Sequence, residues 1–286
     1  MGWLILTLLS AFTLSVSRIL QRVLLRGEKS DSFAFSFVFP LLVSIVIFGY
    51  LLVTSTLEFP DLSAVILNII LMIIFYSIGS ICVYYAYKQS SASEVSIIFA
   101  SSSVWSVLSA VWFLGENLLP KNIVGIVAIV AGLVVLNYQK SRWKLEKGHL
   151  YAMVRAIFFG VAFTNDAVII QYYDSAPPYV FLAFVLPALA ILAYRPKLVM
   201  NIPYFFSKKM LGKFLLTAAT YALSAIAIYS AYKVGGKASI ITPIQQINIV
   251  LTVIFGYFLL NEREKLIQKF IGSTLAFFGC SLVDLT

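Results

Sequence analysis

Hydrophobic residues run through this chain in ten blocks, at 3–25, 32–53, 63–87, 94–114, 121–138, 150–172, 178–194, 212–233, 238–260 and 266–284, parted by short polar connections. Blocks of roughly 17 to 25 apolar residues match the helix length that crosses the hydrocarbon core of a bilayer. In lipid only helices and closed barrels satisfy every backbone polar group. Barrel strands are segments of about ten residues with alternating polarity. These blocks are longer and apolar throughout, so the pattern predicts an all-α integral membrane protein with ten transmembrane helices.

Composition agrees with the pattern. Charged residues make up 12% of the 286 residues, against about 25% in a soluble domain, too few to build a water-facing surface. The net charge of +9 would by itself suggest nucleic acid, but the positions of the charges exclude that partner, because the Lys and Arg lie between the apolar blocks. With the helices numbered in order, the connections 1–2, 3–4, 5–6, 7–8 and 9–10 hold sixteen basic residues, and the alternate connections hold only Lys121, Lys233 and Lys237. The positive-inside rule then puts the first set in the cytoplasm and both termini outside a cell membrane crossed many times. Cys82 and Cys280 fall inside apolar blocks and read as free thiols. No Cys/His spacing suits a metal, and the only histidine, His149, sits beside a basic connection. The apolar start of the chain, 1–17, lacks a basic n-region, which speaks against a cleaved signal peptide. The longest connection, 195–211, reads as a surface segment. Its Tyr204, Phe205 and Phe206 beside Lys208 and Lys209 suit an interfacial anchor.

The chain also repeats itself at a separation of about 146 residues. Tyr85-Ala86-Tyr87-Lys88, an apolar helix, Leu114-Gly115-Glu116, then Gly125 and Gly132 form the first copy. Ser230-Ala231-Tyr232-Lys233, an apolar helix, Leu260-Asn261-Glu262, then Gly272 and Gly279 form the second. Glycines seven apart share one helix face and permit close packing. Each copy, 1–140 and 148–286, holds five helices. Five is odd, so the second copy enters the membrane upside down. That is the inverted-repeat arrangement of many secondary transporters.

The Leu-Gly-Glu116, Gly125, Gly132 string and its echo at Glu262, Gly272 and Gly279 resemble the EamA repeat of the drug/metabolite transporter superfamily. The resemblance covers nearly the whole chain as two five-helix units. It implies a ten-helix inverted repeat around a central cavity lined mainly by helices 1, 3, 4, 6, 8 and 9, with helices 5 and 10 at the periphery. It also implies export or import of amino acids, other metabolites, drugs or nucleotide sugars. The sequence departs from that pattern in two places. A proline common in the middle of helix 4 is replaced by Ser101, Ser102 and Ser103, and the basic connections place the termini outside, where many relatives are thought to keep theirs in the cytoplasm.

Ionisable residues at membrane depth are costly and therefore informative. Arg18 lies about 6 Å to the cytoplasmic side of the middle of helix 1, from the rise per residue. It is a candidate for binding a carboxylate or phosphate, with snorkelling as the alternative. Arg155, nearer the start of helix 6, reads as snorkelling. Asp166 is too short to snorkel, and pairing with Arg18 is awkward across a depth difference of roughly 13 Å. With Asn165 it is placed at a cavity. There it could bind a substrate amine, or protonate reversibly as a coupling residue; a hydrogen-bonded structural role is the alternative.

Uncharged polar candidates follow. Gln245, Gln246 and Asn248 come just after Pro243, and amides in a span bond across helices or line a cavity. Gln245 and Asn248, with Ser102 and Trp105 in the matching part of helix 4, are expected at the midplane. Tyr84, Tyr85, Tyr229 and Tyr232 lie near helix ends, where an interfacial belt is the ordinary reading; Tyr85 and Tyr229 are the candidates for lining a substrate path. Glu116 and Glu262 read as repeat signatures pairing with loop donors.

Together these features predict a secondary transporter that moves a small organic metabolite by alternating access, with the bilayer and its substrate as partners, no cofactor, and a monomer or homodimer as its state. No G-x-x-x-x-G-K-[ST] loop exists for ATP drive within this chain. A lipid or lipid-carrier flippase of similar architecture is the alternative. A membrane enzyme is a remoter one, since no cluster of Asp, His or Glu is visible.

Overall fold

In the computed structural model, seven helices are long and apolar enough to cross a membrane, at Gly2–Leu25, Ser32–Thr54, Ser63–Gln89, Ala92–Phe113, Lys147–Tyr172, Ala176–Tyr194 and Met210–Ile228, and three shorter apolar helices accompany them. The structure describes residues 2–26, 30–54, 59–61, 63–115, 120–139, 142–143, 146–233 and 244–284. Its helices are α1 Gly2–Leu25, α2 Ser32–Thr54, α3 Ile66–Gln89, α4 Ala92–Phe99, α5 Ser102–Leu114, α6 Pro120–Asn137, α7 Lys147–Ile169, α8 Ala176–Tyr194, α9 Ile202–Phe205, α10 Lys208–Lys233, α11 Ile247–Leu260 and α12 Leu266–Asp284. A minimal antiparallel pairing of Tyr138–Gln139 with Arg142–Trp143 precedes α7. Outward positions such as Ile123, Val127, Ile267 and Phe278 are exposed and apolar, as a lipid-facing surface requires. The chain is a multi-pass membrane protein.

Local chemistry sets the ends of these helices. Asp31 accepts from the backbone N–H groups of Phe33 (2.8 Å) and Ala34 (3.3 Å) and so starts α2. Ser91 and Glu94 form a reciprocal capping box at α4, satisfying two of the four orphan N–H groups of a helix start. Pro120 opens α6, and Pro177 and Pro178 fall in the first turn of α8, where a missing N–H costs nothing. The fourth block does not form one even helix. Ala100 and Ser101 bond back three residues, to the carbonyls of Ile97 (3.1 Å) and Ile98 (3.0 Å), a tighter winding than α. The helix is interrupted at the serine run Ser101 to Ser103, where the sequence departs from the pattern it resembles.

The halves pack by exchange. α1 lies along α10, and α3 lies along α7, so the first helix of each half packs on the third helix of the other. Ser10 and Ser224 hydroxyls each donate to the other's carbonyl at 2.9 Å, and Ser17 donates to the Thr217 carbonyl at 3.0 Å. Counterpart helices meet directly and run antiparallel. Phe48 meets Phe181 and Phe33 meets Tyr194 between α2 and α8. Between α6 and α12, a Cβ on Gly132 would stand 2.8 Å from the Gly272 carbonyl oxygen, and one on Gly279 would stand 2.7 Å from that of Gly125. The four glycines thus mesh backbone to backbone, as their spacing predicts.

The expected surface segment is only half right. Within 195–211, Phe206 is exposed, but Phe205 is 1% exposed and packs against Phe35 and Phe214. The short helix α9 turns its final residue into the aromatic core beneath α2 and α10.

The repeat signature has a direct structural reason. Gly115 (φ 69°) and Asn261 (φ 56°) both take the left-handed conformation, which ends a helix and redirects the chain. Glu262 thereby returns to the start of α4. There it accepts from Ala92 N–H at 2.9 Å, Ser93 N–H at 3.3 Å and Ser93 Oγ–H at 2.6 Å. A carboxylate at a helix N-terminus is favoured by both the free N–H groups and the dipole. Gly256 leaves the room, since a Cβ there would collide with Ser93 Oγ and stand 2.8 Å from Glu262 Oε2. Glu116 lies outside the described residues. Hydrogen bonds to a charged acceptor are worth about 1.5–3 kcal/mol each and are partly replaceable by water, so Glu262→Ala is expected to destabilise the purified protein by about 2–4 kcal/mol. Gly256→Ala should lower the midpoint in the same direction. Thermal unfolding in detergent checks both, and an unchanged midpoint in Glu262→Ala would contradict this account of the signature.

Candidate functional site

Polar groups at membrane depth gather at two levels of α7, eleven residues apart between Arg155 and Asp166, or about 16 Å along the helix. At the lower level, nearer the basic connections, the Arg155 guanidinium carbon lies 4.0 Å from the Phe99 ring centroid and 3.6 Å from that of Phe159. Gly79 on α3 admits the Phe159 ring, since a Cβ there would overlap it. Arg155 Nε is buried without a hydrogen-bond partner. The groups acting most strongly on its charge are Tyr221, Tyr87, Arg18 and Tyr84. The snorkelling expected of Arg155 is therefore not what the structure shows, because its head group is held within the bundle by two aromatic rings. Each cation–π contact supplies about 0.5–2 kcal/mol, short of the several kcal/mol it costs to take a guanidinium out of water.

Arg18 reaches the same level from α1. It donates to Asn248 Oδ1 on α11. Asn248, 2% exposed, donates through its amide nitrogen to the Gln245 carbonyl at 2.6 Å. Gln245 Nε2 in turn donates to Ser10 Oγ at 3.0 Å, and Ser15 Oγ donates to the Asn248 carbonyl at 3.1 Å. Three residues expected at the site, Arg18, Gln245 and Asn248, are thus brought together where α1 meets α11. Pro243 lies outside the described residues.

The upper level is built around Asp166. Tyr76 from α3 and Tyr179 from α8 both donate their hydroxyls to its carboxylate, one to each oxygen. Next to it, Asn165 and Asn68 pair reciprocally: Asn68 Nδ2 donates to Asn165 Oδ1 and Asn165 Nδ2 to the Asn68 carbonyl, both at 2.8 Å. Apolar Ile69, Met72, Ala162 and Ile169 enclose these groups. Among the described residues Asp166 forms no ion pair with an arginine. Tyr76 and Tyr179 sit in apolar stretches 90 and 13 residues away and carry no local signal of this role.

Other expected residues fall elsewhere. Ser102 and Trp105 lie against α7, where a Cβ on Gly160 would stand 2.5 Å from the Ser102 carbonyl and from Trp105 Cβ. Thr164 and Ser109 extend that seam with a 2.6 Å hydroxyl contact. Tyr85 turns away from the arginines and stacks on Tyr151, with centroids 5.3 Å apart. Its neighbour Tyr84 is the one facing inward, packed on Phe35 and within reach of the Arg155 charge. Adjacent helix residues point about 100° apart, and period alone does not say which of the two faces the bundle. Tyr229 lies on α10, and its side chain is outside the described residues, as is Tyr232. Among the described residues no group of three or more His, Cys, Asp or Glu could hold a metal, and Cys82 and Cys280 form no disulfide.

Comparison with known proteins follows the same division into two. A model of the EamA-like transporter family matches residues 1–138 and again 146–284. A solved structure described only as "Crystal structure of protein" aligns over 96% of this chain and 96% of its own, with TM-score 0.55 and 15% identity; that likeness speaks for the fold alone. No curated protein matches.

The Asp166 arrangement makes a quantitative expectation. Removing either hydroxyl leaves a buried carboxylate oxygen short of a donor, at about 1–3 kcal/mol. Tyr76→Phe and Tyr179→Phe should each destabilise the protein by that amount. In an Asp166→Asn background the same changes should cost clearly less. A double-mutant cycle of thermal midpoints with no coupling between Tyr76 and Asp166 would contradict the assignment.

Proposed function

The chain belongs to the EamA-like transporter family, and on that premise we propose that it is a secondary transporter. It moves a small organic metabolite across the cell membrane by alternating access between two inverted five-helix repeats, ten spans in all. The observation that carries this reading is the exchange packing. α1 lies on α10 and α3 on α7, and the counterpart helices α6 and α12 mesh antiparallel through glycines. An inverted repeat gives two conformations of nearly equal energy, because each half can take the role of the other. The basic connections support an orientation with both termini outside.

Asp166 is the coupling residue in this reading. When ionised, it accepts from Tyr76 and Tyr179 and ties α3 and α8 to α7. A proton on one oxygen turns an acceptor into a donor and competes with one tyrosine for it. Protonation therefore loosens one helix from α7 and biases the rocking equilibrium. Only a ligand with different affinity for two states can shift them, and the proton meets that requirement here.

Protein reconstituted in liposomes and screened with radiolabelled amino acids, carboxylates, sugar phosphates and organic cations is expected to take up at least one class. That uptake should accelerate under an imposed proton gradient. Asp166→Asn is expected to abolish the acceleration while leaving gradient-independent exchange. Normal gradient response in Asp166→Asn would end the coupling role, and absence of any exchange across the full panel would count against the transporter reading.

A further inference from the structure

Of the twenty-one Lys and Arg residues, nineteen lie in or beside the connections between apolar blocks, and the remaining two are Arg18 and Arg155. A guanidinium stays charged in any protein environment. Buried charges are normally paired, so the acids are the place to look for counter-charges. Asp166 is about 16 Å from Arg155 along α7 and is held by two tyrosines. Glu94 serves the capping box with Ser91 and lies 3.6 Å from His149. Glu262 caps α4. Among the described residues no acid forms an ion pair with either arginine.

The Phe99 ring that covers Arg155 lies 6.0 Å from the ring of Tyr87, whose carbonyl accepts from Arg22, one turn beyond Arg18 on α1; the two cations are accordingly within electrostatic reach of one another. They come from the first helix of each half. The groups around Arg155 come from α1, α3, α4, α7 and α10, so both halves contribute. Both arginines are half-buried. The rings of Phe99 and Phe159 cover Arg155 without offering it an acceptor, and Arg18 has only one neutral acceptor, Asn248 Oδ1. Planar guanidinium edges match carboxylate and phosphate oxygens two at a time.

We propose that Arg18 and Arg155 form the anion subsite of this protein, so that its cargo carries a carboxylate or phosphate group. Calling the ligand cargo rests on the transporter reading; the subsite itself does not. The ligand is a water-soluble oxyanion drawn by both charges, and it bridges the halves because Arg18 stands on α1 and Arg155 on α7.

The test uses the full chain in detergent at constant ionic strength. Thermal midpoints are titrated with inorganic phosphate, sulfate, succinate and citrate, and with choline and glucose as uncharged-site controls. At least one oxyanion is expected to raise the midpoint saturably, and the controls are not. Arg155→Met and Arg18→Met should each weaken that binding about tenfold or more, the loss of one charge-assisted contact. Arg155→Lys should retain an intermediate affinity. If Arg155→Met does not fold, Arg155→Lys and Arg18→Met decide the matter. No response to any oxyanion, an equal response in the foldable variants, or stabilisation only by phosphatidylglycerol in mixed micelles would each overturn the proposal. Counterflow in liposomes separates the two readings. Arginine-dependent oxyanion binding without counterflow sustains the subsite and counts against transport. Counterflow of choline or glucose that Arg155→Met leaves intact sustains transport and overturns the subsite.

Discussion

A carboxylate set against the free end of a helix holds the two halves of this molecule in register. Ala92 and Ser93 are fully buried, and buried backbone N–H groups need partners, so the first N–H groups of α4 find acceptors inside the chain. Glu262 provides them from the far half, through Ala92 and Ser93. The contact depends on three further features. Asn261 must turn left-handed, Gly256 must lack a side chain, and Ser91 with Glu94 must satisfy the remaining donors. A local rule about helix ends thereby becomes a constraint on how one repeat meets the other, and it fixes the start of the span whose interruption lies beside Arg155.

The same scarcity of partners separates the polar groups into two kinds. Most are fully engaged. The Ser10–Ser224 exchange, the Asn68–Asn165 pair and the tyrosines on Asp166 satisfy one another across helices. The arginines differ. Arg155 meets aromatic faces and other positive or neutral groups, and Arg18 meets one amide oxygen. Groups that are satisfied hold the scaffold, and groups whose needs exceed what the chain supplies are where an outside molecule has something to offer.

Much of this was legible before any coordinates. Helix ends at Leu25, Gln89, Tyr194 and Leu260 fall within a few residues of where the apolar blocks stop. The seven-residue glycine spacing gave the α6–α12 seam, and Glu262 was recognisable as a partner of loop donors. What stayed hidden depends on contacts between distant segments. A periodic pattern cannot say that Tyr84 and not Tyr85 points inward, when both flank an apolar stripe. Phe205 looked interfacial beside lysines, yet Phe35 and Phe214 draw it into the core. Arg155 had the length to snorkel, and only the placement of Phe99 and Phe159 shows its head group held against aromatic rings within the bundle. Asp166 stood out as an ionisable residue within an apolar block, but its tyrosine partners came from apolar runs that carry no local signal.

The glycine seam between α6 and α12 limits how this gene can change. Seven residues are nearly two full turns, so Gly125 and Gly132 stand one above the other. Adding or deleting a single residue between them would rotate one glycine by about 100° and bring a branched side chain against the opposing backbone. Exchanges among Ile123, Val127 and Val130, which look outward, leave the seam untouched. The segment can drift in side-chain identity along its lipid face, while its length is locked by the partner helix.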